Sequence, residues 1–298
     1  MPGAPSLSRL DPVAVRALLP PWLASTVTPA FGPAVHAAMV ELLQRTTDAE
    51  LEQALLAMAA LGEEHRLYPA VPFARRLSRA YMAPLLLPGS QVHGVEHLVQ
   101  ALALGPTLLL GNHRSYVDTQ LTDLLLSRRD PNLAARLVTV AGPKVYADTF
   151  RRIAALGLST LHTAQSATVA IAAAVMSVRE IARIAGQTVV QAHALMSAGH
   201  AVLLYPEGTR SRDGQLGPFL RGAGRYARLD DVQVVPVALS GSERVFPIDV
   251  PTLSPAVVHL RLGLPFAAAG LDRDAVLERA RAEIEALLSL QPTSTDHR

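Results

Sequence analysis

The sequence has no cysteine among its 298 residues. Disulfide bonds, thiolate nucleophiles and cysteine-based metal sites are therefore excluded, and a reducing compartment is compatible with the chain. Aromatic residues make up only 4% of the chain, so leucine, alanine and valine must fill the core. Half of the residues are hydrophobic and 17% are charged. That balance excludes a disordered chain and indicates a large core.

Lysine is also scarce, since Lys144 is the only one and the other Lys/Arg residues are all arginines. The formal net charge is +2 and no run of basic residues occurs, so we expect no nucleic-acid partner. A planar guanidinium suits bidentate contact with phosphate better than an ammonium group does. The arginines close to the motifs described below are therefore of interest.

The membrane is a harder question. Residues 1–19 lack the basic start and the long apolar stretch of a secretory signal. Between Arg152 and Arg179 lie 26 residues without an acid or base other than histidine, which is long enough to span a bilayer. The first half of this stretch is polar, however, and favours a strand followed by a buried helix. We therefore expect a cytoplasmic protein that associates peripherally with membranes.

The chain changes character near residue 90. Before it, apolar residues recur at spacings of three and four, as over 48–65, and 74–86 predicts a basic amphipathic helix. After it, short apolar runs alternate with helical stretches, which is typical of an α/β sheet buried on both faces. The sequence thus predicts a helical N-terminal region over 1–90 and an α/β domain over 91–290. Residues 291–298 are expected to be disordered.

Within the α/β domain we expect a mixed, mostly parallel sheet flanked by helices. Strands are predicted at 107–112, 136–142, 156–163, 201–208, 232–241 and 257–266. Helices are predicted at 116–127 and 272–290, and one helix or a pair of helices interrupted at Gly186 is predicted over 166–198.

The first motif, NHRSYVD at 112–118, follows directly on an apolar strand, where α/β folds place ligand sites. Neutral His113 can accept the proton of a hydroxyl near pH 7. Asp118 can fix the imidazole tautomer and stabilise the imidazolium. Five positions along a helix would set the side chains about 140° apart, so pairing requires His113 in the turn before the helix. The spacing alone is weak evidence, because a turn histidine and a first-turn acid would look the same.

The second motif, YPEGTRSR at 205–212, also ends an apolar strand. Gly208 permits close backbone approach or a positive φ. Arg210 offers a planar fork for phosphate and Thr209 a hydroxyl donor. Glu207 is a candidate to orient the arginine or to accept a hydrogen bond from a substrate hydroxyl. The alternative is an ordinary strand-to-loop turn with a surface ion pair.

Together the two motifs resemble the glycerolipid acyltransferase superfamily, of the 1-acylglycerol-3-phosphate and glycerol-3-phosphate acyltransferase type. NHRSYVD (112–118) matches its Asn-His-x4-Asp block, and YPEGTRS (205–211) matches its Pro-Glu-Gly-Thr-Arg block in the same order. VVPVALSG (234–241) resembles a later block that carries a strand and a proline. The resemblance covers about 107–241. The pair of motifs is specific, so chance does not explain why both occur, each after a strand.

The resemblance implies an enzyme and its partners. His113 would take a proton from an acceptor hydroxyl that attacks an acyl thioester, and Asp118 would orient His113. Glu207, Gly208, Thr209 and Arg210 would hold the acceptor, with the arginine on its phosphate. The implied partners are acyl-CoA or acyl carrier protein, a phospholipid precursor and a membrane surface. No metal and no cofactor beyond the thioester co-substrate are implied.

The chain departs from the family in one respect. Many members carry an arginine after an apolar strand between the two main blocks, but here that strand ends with His162 and no arginine follows until Arg179. We interpret His162 as a buried, hydrogen-bonded histidine. Lys144, Arg151 and Arg152 are candidates to replace the missing cation. The acceptor therefore stays open among 1-acylglycerol-3-phosphate, glycerol-3-phosphate, another lysophospholipid and an acylated lipid precursor.

The sequence gives less support to other functions. A serine hydrolase would need a Gly-x-Ser-x-Gly elbow, which is missing, and a metal hydrolase would need a second ligand at suitable spacing from His113. A catalytically silent membrane-docking protein is the alternative from another class, using Trp22 with Arg75, Arg76 and Arg79. The competing explanation for those four residues is that they pack the N-terminal region onto the α/β domain.

Overall fold

The computed structural model describes residues 11–164 and 176–290. Its helices are α1 (Pro12–Ser25), α2 (Gly32–Gln44), α3 (Asp48–Ala60), α4 (Pro72–Met82), α5 (Val95–Leu104), α6 (Asp118–Arg129), α7 (Pro131–Ala135), α8 (Thr149–Leu156), α9 (Val178–Ser197), α10 (Ser242–Val245) and α11 (Arg273–Ser289). Its strands are β1 (Leu67–Tyr68), β2 (Gln91–His93), β3 (Thr107–Gly111), β4 (Leu137–Ala141), β5 (Ser159–His162), β6 (Ala201–Leu204), β7 (Gln233–Ser240), β8 (His259–Leu262) and β9 (Phe266–Ala267). Short 3-10 segments lie at Pro29–Phe31, Ala83–Leu85, Pro143–Tyr146 and Arg221–Ala227.

The described strands form one sheet in the order β1-β5-β4-β6-β3-β7-β8-β2, with β9 paired to the start of β7. Strands β5, β4, β6, β3 and β7 are parallel to their neighbours in this series. Strand β1 joins β5, and β8 and β9 join β7, in the antiparallel sense, while β2 is parallel to β8. The prediction of a mixed, mostly parallel sheet flanked by helices is confirmed.

Both faces of the sheet are covered, which explains why the strands read as continuous apolar runs. Leu109 of β3 shares one face with Leu203 and Val235 and packs against the N-terminal helices and α6. Its neighbours Leu108 and Leu110 point to the other face, where α9 and α11 supply the cover. The catalytic candidates are thus carried by the most deeply buried part of the sheet.

The N-terminal region shares its core with the α/β domain. Met82 and Leu85 are buried in the same apolar cluster as Leu109. Strand β1, which lies inside the region predicted to be helical, adds to the sheet beside β5. The boundary near residue 90 stays a prediction, because the apolar core continues across it.

Several predicted elements differ from the structure in extent. The predicted strand 257–266 is wrong as a single element, since Pro265 lacks an N–H and separates β8 from β9. The predicted helix 166–198 is described only from Val178, and residues 165–175 and the predicted disordered tail 291–298 lie outside the described residues. Over the part of the chain that is described, none of the helices combines the length and the apolar character needed to cross a membrane.

Candidate active site

The two motifs meet because the strands that carry them are neighbours. Strands β3 and β6 are parallel and in register, so the residues after Leu110 and Leu204 emerge at the same edge. On the other side of β3, the Asn112 amide donates to the carbonyl oxygen of Leu239 at 2.9 Å and accepts from its N–H at 2.8 Å. This two-way bond ties the end of β3 to β7 and leaves His113 in the turn that follows.

His113 and Asp118 are hydrogen-bonded in the geometry that the spacing required. Asp118 is the first residue of α6, and His113 Nδ1 lies 2.8 Å from Asp118 Oδ2. The same oxygen accepts from the backbone N–H groups of Arg114 at 2.7 Å and Ser115 at 2.9 Å. Because a carboxylate only accepts, Nδ1 carries the proton and Nε2 is unprotonated in neutral His113. Nε2 has no hydrogen-bond partner within residues 11–164 and 176–290.

Tyr205 holds the imidazole from one side. Its ring is stacked on that of His113, with centroids 4.4 Å apart and planes inclined by 17°. Its hydroxyl is 3.0 Å from Thr119 Oγ1 on α6. Burial, reinforced by the negative charge of Asp118, raises the pKa of Tyr205 well above its ordinary value, so the ring stays neutral. This contact was not predicted from the sequence. The sequence signal for it is that an aromatic residue, Tyr205, directly follows β6, the strand beside β3.

Glu207 joins the two motifs through the backbone. Its Oε1 accepts from the N–H of His113 at 2.7 Å, and its Oε2 accepts from the N–H of Gly217 at 2.8 Å. The Ser211 N–H in turn donates to the His113 carbonyl at 2.8 Å. Both carboxylate oxygens of the buried Glu207 are thus engaged with amides. Of the two candidate roles of Glu207, the orientation of Arg210 is not seen, since the described residues contain no ion pair between the two side chains.

The rest of the second motif is more open. Gly208 has φ +68°, and a Cβ there would lie 2.4 Å from Leu220 Cδ1, so the turn requires glycine. Thr209 is exposed at the surface. The guanidinium carbon of Arg210 lies 3.4 Å from the centre of the Tyr116 ring. Within the described residues Arg210 makes no ion pair, so its charge is available to an anion.

The histidine that ends β5 and the residues of the alternative membrane-docking stripe are buried or paired within the protein. His162 is 4% exposed and its Nδ1 lies 2.8 Å from the Glu64 carbonyl, which confirms a buried, hydrogen-bonded histidine. Trp22 is 8% exposed. The three arginines of the predicted docking stripe make ion pairs inside the molecule, Arg75 and Arg79 with Asp123 and Arg76 with Glu50. Arg75 and Arg79 thus pack the N-terminal region against α6, whereas Arg76 pairs within that region and its side chain is 44% exposed. The described residues contain no group of three or more acids and histidines placed to hold a metal ion.

Comparison with known proteins adds independent evidence. Residues 89–240 match the family model described as Acyltransferase. Over 53 residues the chain is 47% identical to the chloroplastic 1-acyl-sn-glycerol-3-phosphate acyltransferase BAT2 of Brassica napus and 45% identical to its counterpart LPAT1 of Arabidopsis thaliana. Each match spans 18% of this chain and only 15% of the relative's length.

A solved structure is similar over almost the whole chain. It is the 1-acyl-sn-glycerophosphate acyltransferase PlsC of Thermotoga maritima, which superimposes with a TM-score of 0.50 at 16% sequence identity. The match covers 93% of this chain and 98% of that one. At this identity the likeness shows a shared fold, and it includes the helical N-terminal region as well as the sheet.

Proposed function

The chain belongs to the acyltransferase family, and from that premise we propose that it moves a fatty acyl group from an acyl thioester to a hydroxyl of 1-acylglycerol-3-phosphate or a related lysophospholipid. The observation that carries the proposal is the hydrogen bond between His113 Nδ1 and buried Asp118, at the edge where both motifs meet. The two plant relatives are named for 1-acyl-sn-glycerol-3-phosphate, which supports the choice of acceptor.

In the proposed reaction His113 is the general base. Its unprotonated Nε2 takes the proton of the acceptor hydroxyl as the oxygen attacks the thioester carbonyl carbon. Asp118 holds the proton on Nδ1 and stabilises the imidazolium that forms. Collapse of the tetrahedral intermediate breaks the carbon–sulfur bond, and the imidazolium returns its proton to the departing thiolate. The products are an ester and a free thiol, and the base is regenerated.

The contacts around His113 favour a nucleophilic hydroxyl that belongs to the substrate over one that belongs to the protein. Ser115 is buried, and its hydroxyl donates to the Phe246 carbonyl at 3.1 Å. No serine or threonine hydroxyl in the described parts of the chain is hydrogen-bonded to the His113 ring. A serine nucleophile activated by this histidine is therefore unsupported, and direct transfer to the acceptor fits better.

The second motif is proposed to position the acceptor. Arg210 has no acid partner among the described residues and would bind the acceptor phosphate, with Gly208 and Thr209 contributing open backbone and a hydroxyl beside it. Glu207 would act indirectly, because its carboxylate fixes the His113 backbone. Since the acceptor is a lipid, we place the reaction at a membrane surface, with acyl-CoA or acyl carrier protein as the donor.

An acyl-transfer assay on the purified protein tests the proposal. The acceptors are 1-acylglycerol-3-phosphate, glycerol-3-phosphate, lysophosphatidylglycerol and monoacylglycerol, each offered with acyl-CoA and with acyl carrier protein thioester. We expect the highest kcat/KM with 1-acylglycerol-3-phosphate. A preference for glycerol-3-phosphate would move the chain to the earlier acylation step. Thioester consumption that is the same with and without every acceptor would contradict the proposal.

A further inference from the structure

Two arginines from distant parts of the chain lie on the same tyrosine ring. The guanidinium carbon of Arg210 is 3.4 Å from the centre of the Tyr116 ring, and that of Arg151 is 4.2 Å from it. The two charges are therefore no more than about 8 Å apart, close enough for one small anion to touch both. Tyr116 belongs to the turn between His113 and Asp118, so this pair of cations adjoins the proposed base.

The positive charge of this pair is poorly compensated. Arg151 Nε is 3.1 Å from Asp148 Oδ2, but that carboxylate is 48% exposed and water screens it. Arg151 Nη1 donates to the Lys144 carbonyl at 3.1 Å. Its Nη2 has no hydrogen-bond partner in the described parts of the chain, and Arg210 has none there either. Two like charges held at this separation repel one another unless an anion joins them.

The number of charges distinguishes one class of phosphate from another. A phosphomonoester carries a charge of about −1.5 to −2 near pH 7 and presents three terminal oxygens. A phosphodiester carries a single charge and presents two. Arg210 can donate a parallel pair of hydrogen bonds and Arg151 can donate from its Nη2, so the two arginines match a monoester more closely than a diester.

Arg151 also supplies the cation that the family pattern would place after β5. His162, which ends that strand, is buried and bonded to the Glu64 carbonyl, and it supplies no cation to the site. Arg151 lies in the first turn of α8, one connection earlier in the chain, and reaches Tyr116 from there. It therefore supplies the second positive charge from a different element.

We propose that Arg151 and Arg210 together bind the phosphomonoester of the acceptor, and that Arg151 makes the enzyme prefer phosphomonoester over phosphodiester headgroups. Tyr116 is the positioning residue, because its ring fixes both guanidinium groups without touching the phosphate itself. This inference rests on the proposed function and names the substrate class of the same site.

The test compares Arg151→Ala, Arg151→Lys and Arg210→Ala with the unsubstituted protein. For Arg151→Ala we expect the KM for 1-acylglycerol-3-phosphate to rise about tenfold or more, with kcat and the thioester KM changed by less than about twofold. The KM for lysophosphatidylglycerol, a phosphodiester, should change little, so the preference between the two acceptors collapses. Arg151→Lys keeps the charge but loses the planar guanidinium. Its KM for 1-acylglycerol-3-phosphate should lie between that of the unsubstituted protein and that of Arg151→Ala.

Matched controls separate this role from a structural one. Arg279→Ala removes another arginine that stacks on an aromatic ring, 4.2 Å above Phe266 at the opposite end of the sheet. It should leave both acceptor KM values unchanged. Tyr116→Phe keeps the ring and should behave like the unsubstituted protein, whereas Tyr116→Leu removes the support of both guanidinium groups and should raise the KM for 1-acylglycerol-3-phosphate at least as much as Arg151→Ala does.

The outcomes distinguish the inference from the function on which it rests. If the unsubstituted protein acylates none of the acceptors, the proposed function fails. If it is active and Arg151→Ala raises the two acceptor KM values equally, raises the thioester KM as much, or changes none, the inference is overturned. Titration calorimetry of 1-acylglycerol-3-phosphate binding repeats the comparison without turnover, and Arg151→Lys decides it if the alanine variant does not fold.

Discussion

At the scale of single residues, the proposed reaction depends on which nitrogen of His113 carries a proton. Asp118 Oδ2 accepts from Nδ1 and from two backbone N–H groups, so one oxygen fixes both the ring and the turn. The other oxygen, Oδ1, is buried and without a hydrogen-bond partner in the described residues. All three hydrogen bonds that hold the His113 ring and the turn therefore depend on one atom, Asp118 Oδ2.

Asp118→Asn tests that dependence. An amide oxygen in the same place can still accept these three hydrogen bonds, but it is neutral, so it holds the proton on Nδ1 and stabilises the imidazolium less strongly. We expect kcat to fall by about 10²- to 10⁴-fold with little change in the melting temperature. Steady-state kinetics and thermal unfolding measure both, and Asp272→Asn at the start of α11 is the matched control. A fall in kcat below about twofold would contradict the orienting role.

Glu207→Gln tests the cross-link between the motifs. A glutamine side chain has one accepting oxygen, so either the His113 or the Gly217 N–H loses its buried acceptor. We expect the free energy of unfolding to drop by about 1–3 kcal/mol, and kcat to fall because the His113 backbone is less well held. Denaturant unfolding checks the first effect, with exposed Glu278→Gln as control. Unchanged stability combined with a raised acceptor KM would instead support direct substrate binding by Glu207.

At this scale the sequence was informative only where a residue type has few uses. His113, Asp118 and Gly208 could be singled out because a base, an acid at its required place and a positive φ each restrict the choice of residue. The partners of Glu207 could not be predicted, since a carboxylate accepts from a backbone amide as readily as from an arginine. The stacking of Tyr205 on His113 depends on strand neighbours that no local pattern reveals.

At the scale of elements, a buried ion pair joins the N-terminal region to helix α6, which carries the proposed partner of His113. Arg79 of α4 binds Asp123 of α6 through two hydrogen bonds, of 2.7 Å and 3.1 Å, and Arg75 lies 3.5 Å from the same carboxylate. The Asp123 side chain is 2% exposed. Since α6 begins with Asp118, the orientation of this helix bears directly on the site.

Asp123→Ala should leave two partly buried guanidinium groups without their counter-ion. We expect a loss of about 3–5 kcal/mol in the free energy of unfolding, measured by chemical denaturation. The control is Glu41→Ala, which breaks an ion pair with Arg45 whose two side chains are mostly exposed, and which should change stability little. A similar small change for both variants would show that α4 and α6 are held together by apolar contacts alone.

The sequence predicted the elements well where the apolar pattern is long and poorly where it is short. Strands β3, β4, β6 and β7 lie within their predicted ranges because most of their residues are apolar. Strand β1 has two residues and carries no periodic signal, so it was missed. Helix α6 has no clear apolar stripe. Its start could still be predicted, because pairing with Asp118 requires His113 to lie before the helix.

At the scale of the whole molecule, burial of histidines sets a pH dependence. Burial is the largest cause that lowers the pKa of His65, His93, His162 and His259 below the ordinary value of 6.5. The unfolded chain therefore binds protons near pH 6.5 that the folded chain does not bind. Stability is fully present above that pH and is lost as the pH falls below it.

Thermal unfolding at pH values from 7.5 to 5.5 checks this sign, and we expect the melting temperature to decrease across the range. His162→Gln removes the most deeply buried of these groups and should make the decrease shallower. Replacement of exposed His36 should leave the slope as it is. A melting temperature that rises on acidification, or a slope unaffected by His162→Gln, would contradict this explanation.

The fold class was predictable from the alternation of apolar strands with helices, and the site from two motifs that each follow a strand. What the sequence could not show is which loops meet. Arg151 and Arg210 are far apart along the chain and share Tyr116 only because strands β4, β6 and β3 are adjacent in the sheet. The position of α8 above that edge is set by packing against α3 and α4, which is a property of the assembled core.

The most direct test of the central claim is thioester consumption by His113→Ala in the presence of 1-acylglycerol-3-phosphate. Acceptor binding by the same variant is measured alongside, and the melting temperature verifies that it folds. If His113 is the general base, acyl transfer should fall to the uncatalysed rate while the acceptor still binds. A folded His113→Ala protein that turns over at the unsubstituted rate would contradict the catalytic role of His113.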